Sequence, residues 1–310
     1  MNRDYSRFDS LTSILAGTVT VAGIVVFAAA APVFAKTPQE IAQLAISVTV
    51  QINGQYSNAV SSGTGFILAK QGTTYTVLTA NHVVDDDKPT YMIRTNTGKD
   101  HQVTRVVRLQ KSQNEPDLAV VTFNSTESYP VVTLGDSAQA TVGTEIFVFG
   151  YPANVAQQKY GTQRNFEFVP GYVTSRLPNH PRGYTLRYNA ITKGGMSGGP
   201  VFDTEGRVVG IHGEGDFDLD DVTDIDRTVI TGKVATKTGF NAAIPINTFL
   251  AKLSDAGLNR SAILVNTSTT ANAPLKLNNP QDAKTYTEQL LQVKLLLKQD
   301  LMQRFLLTLF

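Results

Sequence analysis

The run Lys193-Gly194-Gly195-Met196-Ser197-Gly198-Gly199-Pro200-Val201 sets four glycines around one serine. Glycine loses more entropy on ordering than any other residue, so such a run is expensive as ordinary structure. It makes sense where a backbone turns tightly and aims its N–H groups at one point. Ser197 is then a candidate nucleophile, and the amides of Gly195 and Ser197 are candidates to receive the negative charge on an attacked oxygen. A hydroxyl at neutral pH needs a base, and the chain has four histidines. His82 follows the apolar run Tyr75-Thr76-Val77-Leu78-Thr79-Ala80, where a sheet edge would hold it rigidly. His101 lies in a polar stretch and His180 in the turn Pro178-Asn179-His180-Pro181, and both read as surface residues. His212 follows the strand-like Val208-Val209-Gly210-Ile211. A neutral imidazole also needs a carboxylate to fix its tautomer and stabilise the imidazolium. Asp117 leads straight into Leu118-Ala119-Val120-Val121, and a carboxylate entering buried sequence must be hydrogen-bonded.

Positioning these groups falls to strands. Short runs rich in Val, Ile, Thr, Tyr and Phe occur at Ile46–Ile52, Gly65–Ala69, Thr74–Leu78, Thr90–Arg94, Val103–Leu109, Leu118–Phe123, Glu145–Phe149, Tyr184–Tyr188, Val201–Phe202 and Arg207–Ile211. Gly, Asn, Asp and Pro clusters separate them. No helix of ten residues fits between Ala45 and Pro245, which argues against a βαβ sheet and for a sandwich or a pair of barrels. A helix is expected to begin near Asn247 and to stop at Gly257. Residues 36–258 then form the folded domain, 259–280 a Thr/Asn/Ala-rich linker, and 281–310 a C-terminal helix. In that helix Leu297, Leu301, Phe305 and Leu309 recur at four-residue spacing, but Lys294, Lys298, Asp300 and Arg304 break it too often for a membrane span.

Composition narrows the chemistry. The chain has 310 residues, 27 of them Lys or Arg against 26 Asp or Glu, which argues against nucleic acid as a partner. Cysteine is absent, so disulfides, thiolate zinc sites, iron–sulfur clusters and a Cys nucleophile are excluded. No metal or cofactor is expected. Glu214 to Asp226 is densely acidic, but the EF-hand pattern fails at Asp221 and Arg227, and the stretch reads as a solvated loop. From Leu11 to Ala35 there is no charge, and Val33-Phe34-Ala35 offers small residues where a signal peptidase reads. Residues 1–35 are therefore expected to be a cleaved signal peptide, placing the folded part in the periplasm or outside the cell. Left uncleaved, residues 11–31 would anchor the chain in a membrane.

Thr79-Ala80-Asn81-His82-Val83, Asp117-Leu118-Ala119-Val120 and Gly195-Met196-Ser197-Gly198-Gly199-Pro200 occur in that order. Together they resemble the trypsin-like (chymotrypsin-fold) serine proteases, especially the cysteine-free bacterial branch near glutamyl endopeptidases and high-temperature-requirement proteases. Gly63-Thr64-Gly65-Phe66-Ile67-Leu68 and Gly210-Ile211-His212-Gly213 support the likeness, which covers residues 45–250. It implies an all-β fold of two six-stranded antiparallel β-barrels, carrying the helical extension at the C-terminus. His82 and Asp117 would sit on the first barrel and Ser197 on the second. It also implies a serine endopeptidase that cleaves protein or peptide substrates through an acyl-enzyme. His82 would be base then acid, Asp117 its orienter, Ser197 the nucleophile, and the Gly195 and Ser197 amides the oxyanion hole. A catalytically silent protein-binding module on the same fold is the alternative. The G-x-S-x-G elbow of α/β-hydrolases also matches Gly195–Gly199, but there a helix follows the serine and the histidine comes last. Here Pro200 and a strand follow, and His82 precedes.

The likeness has departures. Met196 stands where animal trypsins carry the aspartate that pairs with a freshly cut N-terminus, so activation by that ion pair is not expected, and the loop lacks a polar contact there. Gly213 replaces the serine that supports the buried aspartate in pancreatic members. For specificity, Ile191 takes the place of the trypsin pocket aspartate, which disfavours basic substrates. Thr192 and His212 match the Thr and His with which glutamyl endopeptidases bind an acidic side chain, so acidic and apolar preferences both stay open. Gly213-Glu214-Gly215 would offer backbone groups to an extended substrate.

Overall fold

The computed structural model describes residues 35–57, 60–153, 164–223 and 229–268. The expected C-terminal helix and all but Ala35 of the expected signal peptide lie outside these residues. The described part opens with a helix, α1 (Pro38–Val48), where the sequence suggested only a change to polar composition. A capping box starts it: Glu40 N–H donates to Thr37 Oγ1 at 3.3 Å, and Thr37 N–H donates to Glu40 Oε2 at 2.8 Å. Ile41, Ala45 and Val48 form its buried stripe. The expected strand Ile46–Ile52 therefore begins three residues late.

Six strands follow as a closed antiparallel barrel: β1 (Thr49–Gln55), β2 (Val60–Gln71), β3 (Thr74–Ala80), β4 (Thr90–Arg94), β5 (Asp100–Arg108) and β6 (Leu118–Asn124), in the order β1-β2-β3-β6-β5-β4. After the short β7 (Thr133–Leu134) come β8 (Glu145–Gly150), β9 (Glu167–Arg176), β10 (Leu186–Asn189), β11 (Pro200–Phe202), β12 (Val208–Thr223) and β13 (Val229–Pro245). These six close as well, in the order β8-β9-β10-β13-β12-β11, because β11 pairs with both β8 and β12. The expected pair of six-stranded barrels is thus present. The chain continues through α2 (Ile246–Leu250), a run of turns to Gly257, and β14 (Leu264–Val265), which pairs in parallel with β7. The helix expected to reach Gly257 is therefore one short α-helix with turns after it. Residues 259–268, expected to be linker, are docked instead: Arg207 Nη1 donates to Ser268 O at 2.7 Å.

The apolar runs of β3 and β6 are explained by two buried faces. Along β6, Ala119, Val121 and Phe123 fill the first barrel, while Leu118 and Val120 join a second cluster. That cluster lies between the barrels and includes Phe66, Leu78, Phe149, Tyr184, Phe202, Ile211, Phe249 and the buried side of α1. Each fully buried Phe or Leu there is worth about 1.5–3 kcal/mol. The second barrel is filled around Val148, Leu186, Tyr188, Met196 and Val201.

Two long strands, β9 and β13, escaped the sequence reading, as did the two-residue β7 and β14. β9 contains Pro170, which ordinarily argues against a strand. Pro170 pairs with Phe147 of β8, but β10 covers only Tyr172 to Arg176, so no partner there needs its N–H. The described part of the acidic stretch, from Glu214 to Thr223, is strand and not loop: β12 and β13 form a long hairpin with Phe217 opposite Lys237 and Asp221 opposite Lys233. Its alternation of Asp with Phe217 and Leu219 is the period-two pattern of a strand. Among the described residues no helix is long and apolar enough to cross a membrane.

Candidate active site

His82 lies in a single 3-10 turn, Asn81–Val83, directly after β3. The β3–β6 register runs unbroken from Thr74↔Asn124 to Ala80↔Leu118, so the residues just past β3 meet those just before β6. Asn81 N–H donates to Asp117 O at 3.1 Å and His82 N–H to Asp117 Oδ1 at 2.9 Å. His82 Nδ1 is 2.7 Å from Asp117 Oδ2. Asp117 is fully buried, while the His82 side chain keeps 32 % of its surface. Burial pushes the Asp117 carboxyl up, but hydrogen bonds and charge from His82, with the Tyr184 hydroxyl, bring it down to about 2. An ionised Asp117 makes Nδ1 the protonated ring nitrogen and leaves Nε2 as the base.

Two further groups reach the same oxygen, and no local motif marks either of them. The Tyr184 hydroxyl donates to Asp117 Oδ2 at 2.9 Å, and Arg182 Nη2 makes a close ion pair with it. Arg182 Nη2 also lies 3.3 Å from His82 Nδ1, which is two donors converging on one carboxylate oxygen. The Arg182 backbone, at φ +62°, is in the left-handed region, and its carbonyl accepts the Asp117 N–H at 3.0 Å. The place of the missing serine at Gly213 is filled from elsewhere: a Cβ at Gly213 would lie 2.1 Å from Tyr184 Oη.

The serine loop is held mostly by its main chain. Gly195 and Gly198 have φ of +91° and +86°, which favours glycine. A side chain on Gly198 would strike Thr64 O and Thr79 Oγ1, each at 2.1 Å, so the loop packs directly on the strands leading to His82. Thr64 N–H donates to Ser197 O at 2.9 Å, Gly198 N–H to His212 O at 2.7 Å, and His212 N–H to Gly199 O at 2.9 Å. Ala153 N–H donates to Gly194 O at 2.7 Å. In a trans peptide the N–H opposes the carbonyl, so this bond turns the Gly195 amide the other way. Among the described residues the amides of Gly195 and Ser197 have no main-chain acceptor. Ser197 is half-buried.

Met196 is fully buried in the second barrel, and its Sδ lies 3.4 Å from Lys193 N. The polar contact expected to be missing at Met196 is supplied one residue earlier. Thr64 Oγ1 donates to Gly195 O at 2.8 Å and accepts the Tyr151 N–H at 3.0 Å. Behind it Arg164, only 5 % exposed, sends Nη2 to Gly63 O at 2.7 Å and to Asn53 Oδ1 at 3.2 Å. Its Nη1 reaches Tyr151 O and, at 3.4 Å, Gly195 O. Burial lowers its pKa to about 10. Nothing in the sequence around Arg164 announces this role.

The residues read as a specificity pocket differ in exposure, and Thr192 is tied to Asn241, the β13 partner of Gly215. Ile191 stands 77 % exposed and not enclosed at a pocket base. Thr192 and His212 are buried. The Thr192 hydroxyl donates to Asn241 Oδ1, and His212 Nδ1 lies 2.6 Å from Tyr188 Oη. Glu214 and Gly215 pair with Ala242 and Asn241 of β13, whereas β11 pairs with β12 only as far as Ile211. The opposite edge of Gly213–Gly215 is thus open among the described residues. His180 is half-buried, with Nδ1 3.7 Å from Glu214 Oε2. His101 is half-buried too, bonded to Tyr129 Oη at 3.0 Å inside the first barrel. Neither is the free surface residue expected.

Comparison with known proteins agrees with this geometry. Residues 63–211 match the trypsin-like peptidase domain family. The chain is 30% identical over 166 residues to a probable periplasmic serine endoprotease DegP-like of Hahella chejuensis, covering 50% of this chain and 30% of that protein. Proteins of the same description from Pseudomonas putida (30% over 159 residues; 50% and 30% covered) and Brucella suis (29% over 162 residues; 51% and 28% covered) are similar as well. The chain spans about three tenths of the length of these curated relatives. With two closed barrels and this matching segment running from the first into the second, residues 63–211 are similar in sequence to the trypsin-like peptidase domain and lie in the matching pair of barrels.

Proposed function

We propose that this chain is an exported serine endopeptidase, with His82, Asp117 and Ser197 as its catalytic triad. Ser197 Oγ attacks the scissile carbonyl carbon as His82 Nε2 takes the hydroxyl proton. The oxygen that becomes negative is received by the Gly195 and Ser197 amides. Collapse of the tetrahedral intermediate breaks the C–N bond, and His82 returns its proton to the departing amine. Water then repeats the sequence on the acyl-enzyme and restores Ser197. Asp117 keeps the Nδ1 proton in place and offsets the positive charge that the ring acquires.

The observation that carries this reading is the Asp117–His82 pair, 2.7 Å apart, beside a glycine loop with two amides left without main-chain acceptors. Protein or peptide substrates fit the open edge at Gly213–Gly215, where an extended chain could pair as an added strand. Export to the periplasm rests on the uncharged stretch from Leu11 to Ala35 and on the description of the relatives. The test is Ser197→Ala: casein cleavage and fluorophosphonate labelling of the wild-type protein should both vanish in the variant. A folded wild type that neither cleaves nor labels would point to the silent binding module.

A further inference from the structure

Tyr184 is fully buried at the start of the segment leading into β10, and its hydroxyl is 2.9 Å from Asp117 Oδ2. Burial and the neighbouring carboxylate push the phenol pKa well above 10, so the group stays a donor. Room for the ring exists because residue 213 has no side chain. A Cβ there would meet Tyr184 Oη at 2.1 Å, Cζ at 2.7 Å and Cε1 at 2.8 Å. Gly213 carries no left-handed φ that would itself demand glycine. The backbone here is one that any residue adopts, and the three atoms nearest to a Cβ all belong to the tyrosine.

We propose that Tyr184 is a positioning residue for the His82–Asp117 pair, and that Gly213 is glycine in order to admit it. The two residues, Tyr184 just before β10 and Gly213 in β12, form one unit that reaches across to a carboxylate before β6 of the first barrel. The inference rests on the triad reading above. Asp117 Oδ2 must hold still while His82 gains and loses charge. With Tyr184 and Arg182 also bonded to it, the carboxylate cannot rotate to follow the ring. The direction of the missing 213 side chain also says what could replace the phenol: a short hydroxyl on that Cβ would enter the same space once the ring is gone.

The experiment measures kcat and KM on one peptide substrate for wild type, Tyr184→Phe, Tyr184→Leu, Gly213→Ser and the double variant Tyr184→Leu/Gly213→Ser. A hydrogen bond to a charged group predicts a roughly ten- to hundredfold fall in kcat for Tyr184→Phe, with KM unchanged. Gly213→Ser alone should lose at least as much, because it displaces the ring. The double variant should exceed Tyr184→Leu alone, a recovery that loss of packing cannot produce. If wild type turns over and labels with fluorophosphonate but Tyr184→Phe keeps its kcat, the positioning role is overturned and the triad reading stands. A double variant no better than Tyr184→Leu overturns the shared-space argument. Should Gly213→Ser fail to fold, the Tyr184→Phe measurement decides. A wild type with no labelling removes the triad reading itself.

Discussion

Asp117 is gripped by side chains from two separate parts of the chain, whereas the Gly195–Ser197 loop is gripped almost wholly through main-chain groups. On Asp117 Oδ2 converge an imidazole, a phenol and a guanidinium, and Oδ1 takes the His82 amide. On the loop, Thr64 N–H, Ala153 N–H and the paired His212 and Gly198–Gly199 backbones hold the chain, and among the described residues the side chains of Thr64 and Arg164 donate to it, both on the Gly195 carbonyl. The division follows from what each end must do. A buried negative charge is tolerable only with donors on every lone pair. A site for transient charge must instead keep amides free, so it is fixed from behind and left empty in front.

The contrast breaks most sharply at Asp117→Asn. An amide cannot satisfy three donors at one oxygen, and it favours the wrong imidazole tautomer. The expected fall in kcat is about 10⁴-fold, the size of this change elsewhere in the fold family. A loss below about tenfold in a folded variant, read on a peptide substrate, would contradict the picture of a charge-dependent end. Thr64→Val tests the other end at nearly constant volume. It strands the Tyr151 amide and removes one donor from Gly195 O, so chemical denaturation should show a loss of about 1–3 kcal/mol. A fall in kcat of about tenfold should accompany it, and Thr64→Ser should restore both.

The smallest expected effect is on acid stability. The Asp117 carboxyl is held at about 2 against an ordinary 3.8. A depressed folded value means that its stabilisation is complete above pH 4 and is lost as pH falls from about 4 to about 2. That amounts to about 2 kcal/mol, read as the difference in unfolding free energy between pH 5 and pH 2. Asp117→Asn should lack this part of the acid slope. An equal slope in both proteins would show that the grip on the charge adds nothing to folding.

How far the sequence disclosed these arrangements depended on the distance along the chain over which each is made. The His82–Asp117 contact and the tight glycine turn around Ser197 were legible because each of these residues sits in its own short motif. The strands of the first barrel were legible because runs such as Leu118–Phe123 are apolar on both faces. α1 carries the Thr37–Glu40 spacing of a capping box, but its buried stripe of Ile41, Ala45 and Val48 is short and runs directly into the apolar β1, which hides the helical period. The hairpin of β12 and β13 was masked by its acids, which outweighed the alternation of Phe217 and Leu219. Tyr184, Arg182 and Arg164 could not be read at all. Their partners lie 67, 65 and about 100 residues away, and no local pattern encodes a contact of that separation.

The ties on Gly195 have a last consequence. Thr64 and Gly63 belong to the first barrel, Gly195 to the second, and Arg164 binds both. In the proposed enzyme the loop offering its amides to the oxyanion is thus tied down across the seam between the halves. Heat or denaturant that loosens this seam should silence the enzyme while each half still keeps its sheet.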